Sequence, residues 1–269
     1  MIGSIRKMRT VHFPEEGGRV EYFWRTTEGE IPLNDFLGRE ISIEHTGRIF
    51  CKNCGKKTNK SFSQGFCYPC FQNAPENAEC ILHPELCRGH EGLGRDPEWE
   101  KNHHVQPHFV YLAFATEVKV GVTRTTQGIT RWIDQGAEAV QVIAEVPYRQ
   151  LAGEIEVFLK DYFTDKTHWQ RMLTHAGGPN IQALKEGVNQ AETVLPEVYQ
   201  EYFPIENEAC IIRYPQLVIP AKVSSTNFEK ELKVTGKLIG IKGQYLFLEG
   251  GKVMNVRTME GYETEFFEK

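Results

Sequence analysis

Six of the seven cysteines fall between Cys51 and Cys87, and their spacing is that of metal ligands. Cys51-x2-Cys54 and Cys67-x2-Cys70 form two chelating hooks separated by twelve residues. Each hook lets two thiolates reach one ion from a tight turn, and four thiolates complete the tetrahedron that zinc prefers. Gly55 and Gly65 sit where such knuckles need unusual backbone angles. All four positions are then filled by protein, so this site is expected to be scaffolding. A second group follows as Cys80-x2-His83-x3-Cys87-x2-His90, with His103, His104 and His108 close behind. Cys80 and Cys87 are its firm members because thiolates anchor zinc best, and His90 follows Cys87 at hook spacing. The fourth ligand of this second zinc is either His83 or His104.

Lys52, Lys56, Lys57 and Lys60 crowd the first hook, and no acidic residue interrupts residues 51 to 70. Phe62, Phe66, Tyr68 and Phe71 interleave with them. Cations that track a phosphate backbone, together with aromatics on which bases stack, are a means of holding nucleic acid. DNA or RNA is the expected partner, with a protein partner as the alternative. Cys210, alone in EACIIRY, is expected to be a buried strand residue.

Between His108 and Phe163 the order is H-F-V-Tyr111-L-A, then Lys119-Val-Gly121-Val-Thr123, then Arg131, and later Gly153-Glu-Ile-Glu156. Over residues 109-163 this order resembles the GIY-YIG nuclease superfamily, in the branch whose second motif reads K-I-G. The resemblance implies two short strands carrying the motif pair, an Arg opening the next helix, and a Glu on a later helix. Tyr111 matches the Tyr of the first motif, and Lys119-Val-Gly121 matches the second. Arg131 matches the helix-start Arg, and Glu156 the Glu that binds Mg2+. The resemblance thus implies phosphodiester cleavage at Tyr111, Lys119, Arg131 and Glu156. One carboxylate suffices to hold Mg2+, an Arg can fork onto phosphate oxygens, and a phenol lowered in pKa can help deprotonate water.

The chain also resembles a bacterial family catalogued as domain of unknown function 2797. The phrases that carry this are CKNCGKKTNKSFSQGFCYPCF, PELCRGHEG, KVGVTRTTQGITRWIDQGA and KTHWQRML. In that family the position of His104 looks like a Cys-or-His site, which implies the ligand set Cys80, Cys87, His90 and His104.

These residues need elements to position them. Arg19 to Thr27 and Glu40 to Cys51 alternate and read as strands. Residues 51 to 108 lack an apolar period, so metal must hold them. Phe109 to Ala115, Glu117 to Thr123 and Ala139 to Val146 are strand-sized, and Thr130 to Gly136 reads as a short helix. Leu151, Ile155, Phe158, Leu159 and Tyr162 form one face of an amphipathic helix, with Glu156 at its edge. Ile181, Leu184 and Val188 suggest a further helix. Glycines at 236, 240 and 243 predict short, bent strands in 233 to 248, and Gly250-Gly251 a turn into a strand over 252 to 258. An echo between GKLIGIK and GSIRKM suggests that the two terminal segments share one small barrel or sheet.

The expected fold is α+β: a GIY-YIG-like small mixed sheet with helices, a Cys/His zinc module and terminal β segments. The divisions fall at 1-50, 51-108, 109-200 and 201-269.

With 269 residues, 40% hydrophobic, 25% charged and a net charge of -5, disordered and collagenous classes are excluded. No apolar run nears the roughly 18 residues of a spanning helix, and the N-terminus lacks an apolar signal core, so a cytoplasmic, membrane-free protein is expected. Mild acidity opposes a general polyanion binder and confines nucleic-acid contact to the first knuckle and the Arg131 cleft. No phosphate-binding G-x-x-x-x-G-K-[ST] loop occurs, and Gly92-Leu-Gly94 lacks a βαβ setting. The leading expectation is a zinc-containing nucleic-acid-processing protein, against a non-catalytic zinc-stabilised binding module.

Overall fold

The computed structural model describes residues 1–164, 168–203 and 207–268. Lys166 and Thr167 of KTHWQRML therefore lie outside the described residues. The chain forms two compact units, one of Met1–Asn73 with Arg213–Lys269 and the other of Ala74–Ile212. The segment 51-108, expected to be one zinc module, is divided between them. The paired Cys hooks fall in the first unit, and Cys80 to His104 in the second.

The chain opens with β1 (Ile2–Phe13), β2 (Arg19–Thr26), β3 (Gly29–Pro32), β4 (Glu40–Phe50), β5 (Lys57–Thr58) and α1 (Tyr68–Asn73). The second unit contributes α2 (Pro97–His103), β6 (His108–Phe114), β7 (Val118–Arg124), α3 (Gly128–Asp134) and β8 (Ala139–Val146). It continues through α4 (Arg149–Leu159), α5 (Trp169–Thr174), α6 (Ile181–Val194) and β9 (Cys210–Ile211). The first unit is completed by β10 (Ser224–Thr226), β11 (Lys233–Lys242), β12 (Tyr245–Leu248), β13 (Lys252–Asn255) and β14 (Tyr262–Glu268).

In the first unit, ten strands among the described residues join in the order β10-β13-β12-β11-β4-β14-β1-β2-β3, with β5 paired to β4. Both ends of the chain share this sheet. β14 pairs with β1 through Ile2↔Glu265 and with β4 through Phe266↔Ile43. Alternation explains β2, where Val20, Tyr22 and Trp24 are buried between more exposed neighbours. β1 is hard to read from sequence because Arg6, Lys7 and Arg9 interrupt its apolar positions. Of the glycines in 233 to 248, Gly243, at φ 61°, breaks the chain into β11 and the short β12, whereas Gly236 and Gly240 do not interrupt β11. β11 runs unbroken for ten residues with one register shift between Leu238 and Gly240, and residues 256–259 are a 3-10 turn rather than strand.

The second unit is built on a four-stranded antiparallel sheet in the order β7-β6-β8-β9. Val110, Leu112, Val120 and Ile143 from the sheet pack with Ile155 and Leu159 of α4 and Leu184 of α6. α4 buries Leu151, Ile155 and Leu159, the period expected of it, but stops at Leu159 and leaves Tyr162 44% exposed. α3 starts at Gly128 and ends before Gly136, whose φ of 71° breaks the helix. Cys210 is half-buried in β9. No helix among the described residues is long and apolar enough to cross a membrane.

α4 lies against the turn at Pro84–Leu86 so closely that a Cβ on Gly153 would stand 2.2 Å from the Glu85 nitrogen and 2.4 Å from the Pro84 carbonyl carbon. Backbone, unlike a long side chain, cannot step aside. Gly153→Ala is therefore expected to destabilise the second unit by about 2–3 kcal/mol. Urea unfolding followed by circular dichroism reads the shift, and an unchanged midpoint would refute the close approach.

Candidate functional site

The ligand atoms of Cys51, Cys54, Cys67 and Cys70 lie within 4.8 Å of one another, an arrangement able to hold a metal ion. β5 pairs back onto β4 and places the first hook at the strand's tip, where Gly55 N donates to Cys51 O at 2.9 Å. Gly55 and Gly65 take φ of 71° and 113°. The thiols divide their acidity. Burial opposes ionisation of Cys51, but backbone N–H groups of Cys54, Cys67 and Asn53 hold it down at about 6. Asn53 favours the Cys70 thiolate, yet burial and the neighbouring thiols push Cys70 up to about 12. Four thiolates coexist here only around a cation.

One of the lysines beside this cluster, Lys52, is set apart from the others. Lys56, Lys57 and Lys60 are exposed, whereas Lys52 lies 3.5 Å from Glu260 and over the Phe66 ring. Phe66 is buried, while Tyr68 and Phe71 are exposed and pack around Phe62.

A second group able to hold a metal comprises Cys80, Cys87, Glu100 and His104, again within 4.8 Å. This corrects the ligand set expected from the sequence. His90 stands outside the group because its ring stacks on Tyr148 at 4.5 Å, and Glu100 occupies the fourth place. His83 is exposed and turned to Glu85 at 3.4 Å. The Asp96 side chain caps α2 by accepting from Glu98 N and Trp99 N, so that Glu100 and His104 fall one helical turn apart. Glu100 is 1% exposed, neither carboxylate oxygen finds a hydrogen-bond donor, and one lies against Nδ1 of His104. Cys80 draws the Cys87 thiol down to about 4, with His104 reinforcing this against burial. Cys87 and burial push Cys80 up, and burial pushes Glu100 up. His108 belongs to neither group. It is buried, pulled down to about 4 by that burial, and neutral.

A cavity of about 470 Å³ in the second unit gathers Lys119, Arg124, Arg131, Arg149 and Lys160 against only Glu76 and Glu156. The antiparallel pairing of β6 and β7 sets Tyr111 opposite Gly121, and the two-residue period puts Lys119 on the same face as Gly121. α3 brings Arg131 and α4 brings Glu156 to the same cavity. Three of the four expected catalytic residues thus meet there.

Tyr111 does not line the cavity. It lies fully buried behind Gly121, where a Cβ would come within 2.7 Å of its phenol oxygen. Gln135 links it to the cavity. Its amide nitrogen donates to the Tyr111 oxygen at 2.7 Å, and its oxygen accepts from Nη2 and Nε of Arg131 at 3.1 and 3.2 Å. Burial pushes the phenol up against the pull of Arg131. Tyr111 therefore stays protonated at neutral pH, against its expected part as a low-pKa base, and it is linked to Arg131 through Gln135.

Lys119 is only 7% exposed, and among the described residues its ammonium has no acidic partner. Burial, reinforced by Arg131, pulls it down to about 8. Burial pushes the Glu156 carboxyl up, opposed by Lys160 at 3.5 Å and by Arg131 and Arg149. Glu100 in the metal group and Gln135, Arg124 and Arg149 in the cavity are residues that sequence reasoning missed. Only the i, i+4 spacings of Arg131 with Gln135 and of Glu100 with His104 signalled two of them.

Metal analysis is expected to find two equivalents per chain. Cys54→Ser should remove one and Glu100→Ala the other, whereas His90→Ala keeps both. The opposite result for the last pair would restore His90 to the ligand set. Lys119 makes a second prediction. Its folded pKa of about 8 lies below its ordinary 10.5, so the unfolded chain holds more protons over that window and stability rises with pH through it. Lys119→Met should abolish this rise and stabilise the protein at pH 7 by about 2–3 kcal/mol. Denaturant midpoints between pH 7 and 10 measure both effects.

Comparison with curated proteins and with solved structures finds no match, and nothing in these comparisons connects the chain to the GIY-YIG nucleases. Residues 38–264 match the family described as protein of unknown function (DUF2797). That match takes in both cysteine clusters and every residue of the cavity, and the chain belongs to the DUF2797 family.

Proposed function

We propose that the cavity of the second unit hydrolyses phosphodiester bonds in nucleic acid, and that the ions of the two cysteine clusters are structural zinc. The observation that carries this reading is a buried Lys119 in one cavity with Arg124, Arg131 and Arg149, where Glu76 and Glu156 are the only acidic residues among those lining it. Cations gathered at this density favour an anionic ligand, and a phosphate supplies the compensating charge. The order of Tyr111, Lys119, Gly121, Arg131 and Glu156, which resembles the GIY-YIG nucleases, supports phosphodiester chemistry in particular. The donor sets support zinc, since thiolate and imidazole suit it better than they suit magnesium or calcium.

Each residue then has a defined task. Arg131 forks onto two phosphate oxygens and offsets the charge that grows on them in the transition state. Gln135, anchored on Tyr111, keeps that fork aimed. Lys119 holds a further phosphate oxygen, and the contact restores its ammonium to full protonation. Glu156 is the residue to hold a divalent cation of the magnesium class. Its carboxyl is pushed up by burial, so a cation beside it is favourable. Such an ion, when bound, supplies Lewis-acid polarisation of the phosphate.

The exposed Tyr68 and Phe71, with Lys56, Lys57 and Lys60, support a second and compatible reading, in which the first knuckle grips a strand without cleaving it.

Labelled single-stranded and duplex DNA and RNA, incubated with the protein and Mg2+, test the main reading. Cleavage is expected to vanish in Glu156→Gln and to fall at least about 100-fold in Arg131→Ala. Equal activity of wild type and Glu156→Gln would sink it. Oligonucleotide binding should fall off with salt, survive Glu156→Gln, and weaken when Lys56 and Lys57 are both changed to Ala. Binding of this kind without cleavage leaves the binding module standing alone.

A further inference from the structure

α2 presents two pairs of side chains at helical spacing to two different environments. Glu100 and His104 meet Cys80 and Cys87. Trp99 and His103, each one position earlier, line the cation-rich cavity. Their rings stack with centroids 3.9 Å apart and planes inclined by only 6°, and Trp99 meets His104 edge-on. The His103 ring is locked in place. Its Nδ1 sits 2.7 Å from the Trp99 carbonyl oxygen, which can only accept, so Nδ1 donates to it. Both rings are half-buried and form one wall of a cavity that also holds Lys119, Arg131 and Glu156.

A flat aromatic stack beside a phosphate site matches the two halves of a nucleotide. From this juxtaposition we infer that the cavity takes an unpaired nucleotide, its base stacked on the Trp99–His103 pair and its phosphate on Arg131 and Lys119. The inference rests on the phosphodiester reading and narrows its substrate. A base inside a duplex is stacked on both sides and cannot enter a cavity of about 470 Å³, so the strand must be single or the nucleotide extruded. Continuous duplex would meet the cations without the aromatic wall. The second metal cluster acquires a task by the same geometry, because an ion held by Glu100 and His104 fixes the rotation of α2 and so the face on which the base rests.

The test compares adenosine 5′-monophosphate with ribose 5-phosphate, which share a sugar phosphate and differ by the base. Each is titrated into the full chain by calorimetry, without added magnesium. Adenosine monophosphate is expected to bind about tenfold or more tightly, in the range of base–aromatic stacking. In Trp99→Leu it should weaken to the level of ribose phosphate, whose own binding stays unchanged. In Trp99→Phe the preference should return, and metal content with circular dichroism shows that each variant is folded. Arg131→Ala should weaken both ligands alike. Equal binding of the two ligands by the wild type, lost in Arg131→Ala, would overturn the base contact and leave the phosphodiester reading intact. So would a preference that persists in Trp99→Leu. Failure of both ligands to bind would overturn the phosphate site, and the base contact with it.

Discussion

Arg149 joins the start of α4 to the segments of Cys80 and of His104. Its guanidinium donates to the carbonyls of Cys80 and Ile81, both at 3.0 Å, and its backbone N–H donates to the carbonyl of His104 at 2.9 Å. One residue at the start of α4 thus grips both segments that supply the second metal group. A buried guanidinium must find acceptors for its donors, and main-chain carbonyls of loops without a core of their own provide them. Burial lowers the basicity of Arg149, while the thiols of Cys80 and Cys87 work in the other direction. Residues 79 to 104 have little apolar surface to fold around, and this contact, with the metal ligands, fixes where they lie.

The second unit also keeps charges of opposite sign close together without letting them cancel. Cys80, Cys87 and Glu100 make a negative centre that calls for a cation, and Lys119, Arg124 and Arg131 make a positive one that calls for an anion. His104 borders both, offering Nδ1 to the first and lining the second. A chain selected only for stability would pair such groups or replace them with apolar ones. Uncompensated cations at the wall of a cavity are what the proposed function puts to use.

Much of this was legible in the sequence, for reasons that differ from residue to residue. The hooks at Cys51 and Cys67 declare themselves because two thiolates on a tight turn need that spacing and little else. The strands that carry Tyr111, Lys119 and Gly121 were legible as apolar runs of strand length, while the choice of those residues is what the resemblance to the GIY-YIG nucleases implied. The second metal group was only half legible. Five histidines within a short stretch made His90 attractive, yet its ring found a better partner in Tyr148, and the remaining place went to a carboxylate that spacing alone does not single out. The acidity of Tyr111 could not be read at all, since it depends on complete burial. The sheet shared by the two ends of the chain was foreseen from the echo between GKLIGIK and GSIRKM, but the boundary at Asn73 was hidden, because residues 51 to 108 read as one Cys/His-rich stretch.

That last feature bears on the order in which the molecule comes into being. The sheet of the first unit needs strands from before residue 73 and after residue 213, whereas the second unit is continuous from Ala74 to Ile212. On a ribosome the inserted unit emerges whole and is free to close around its metal and its cavity. β1, β2 and β3 can already pair with one another, but β4 and the outer edge of β1 must wait until β11 and β14 follow. The unit whose first strands are made before the inserted one is then finished after it, and the interval is one of exposed strand edges.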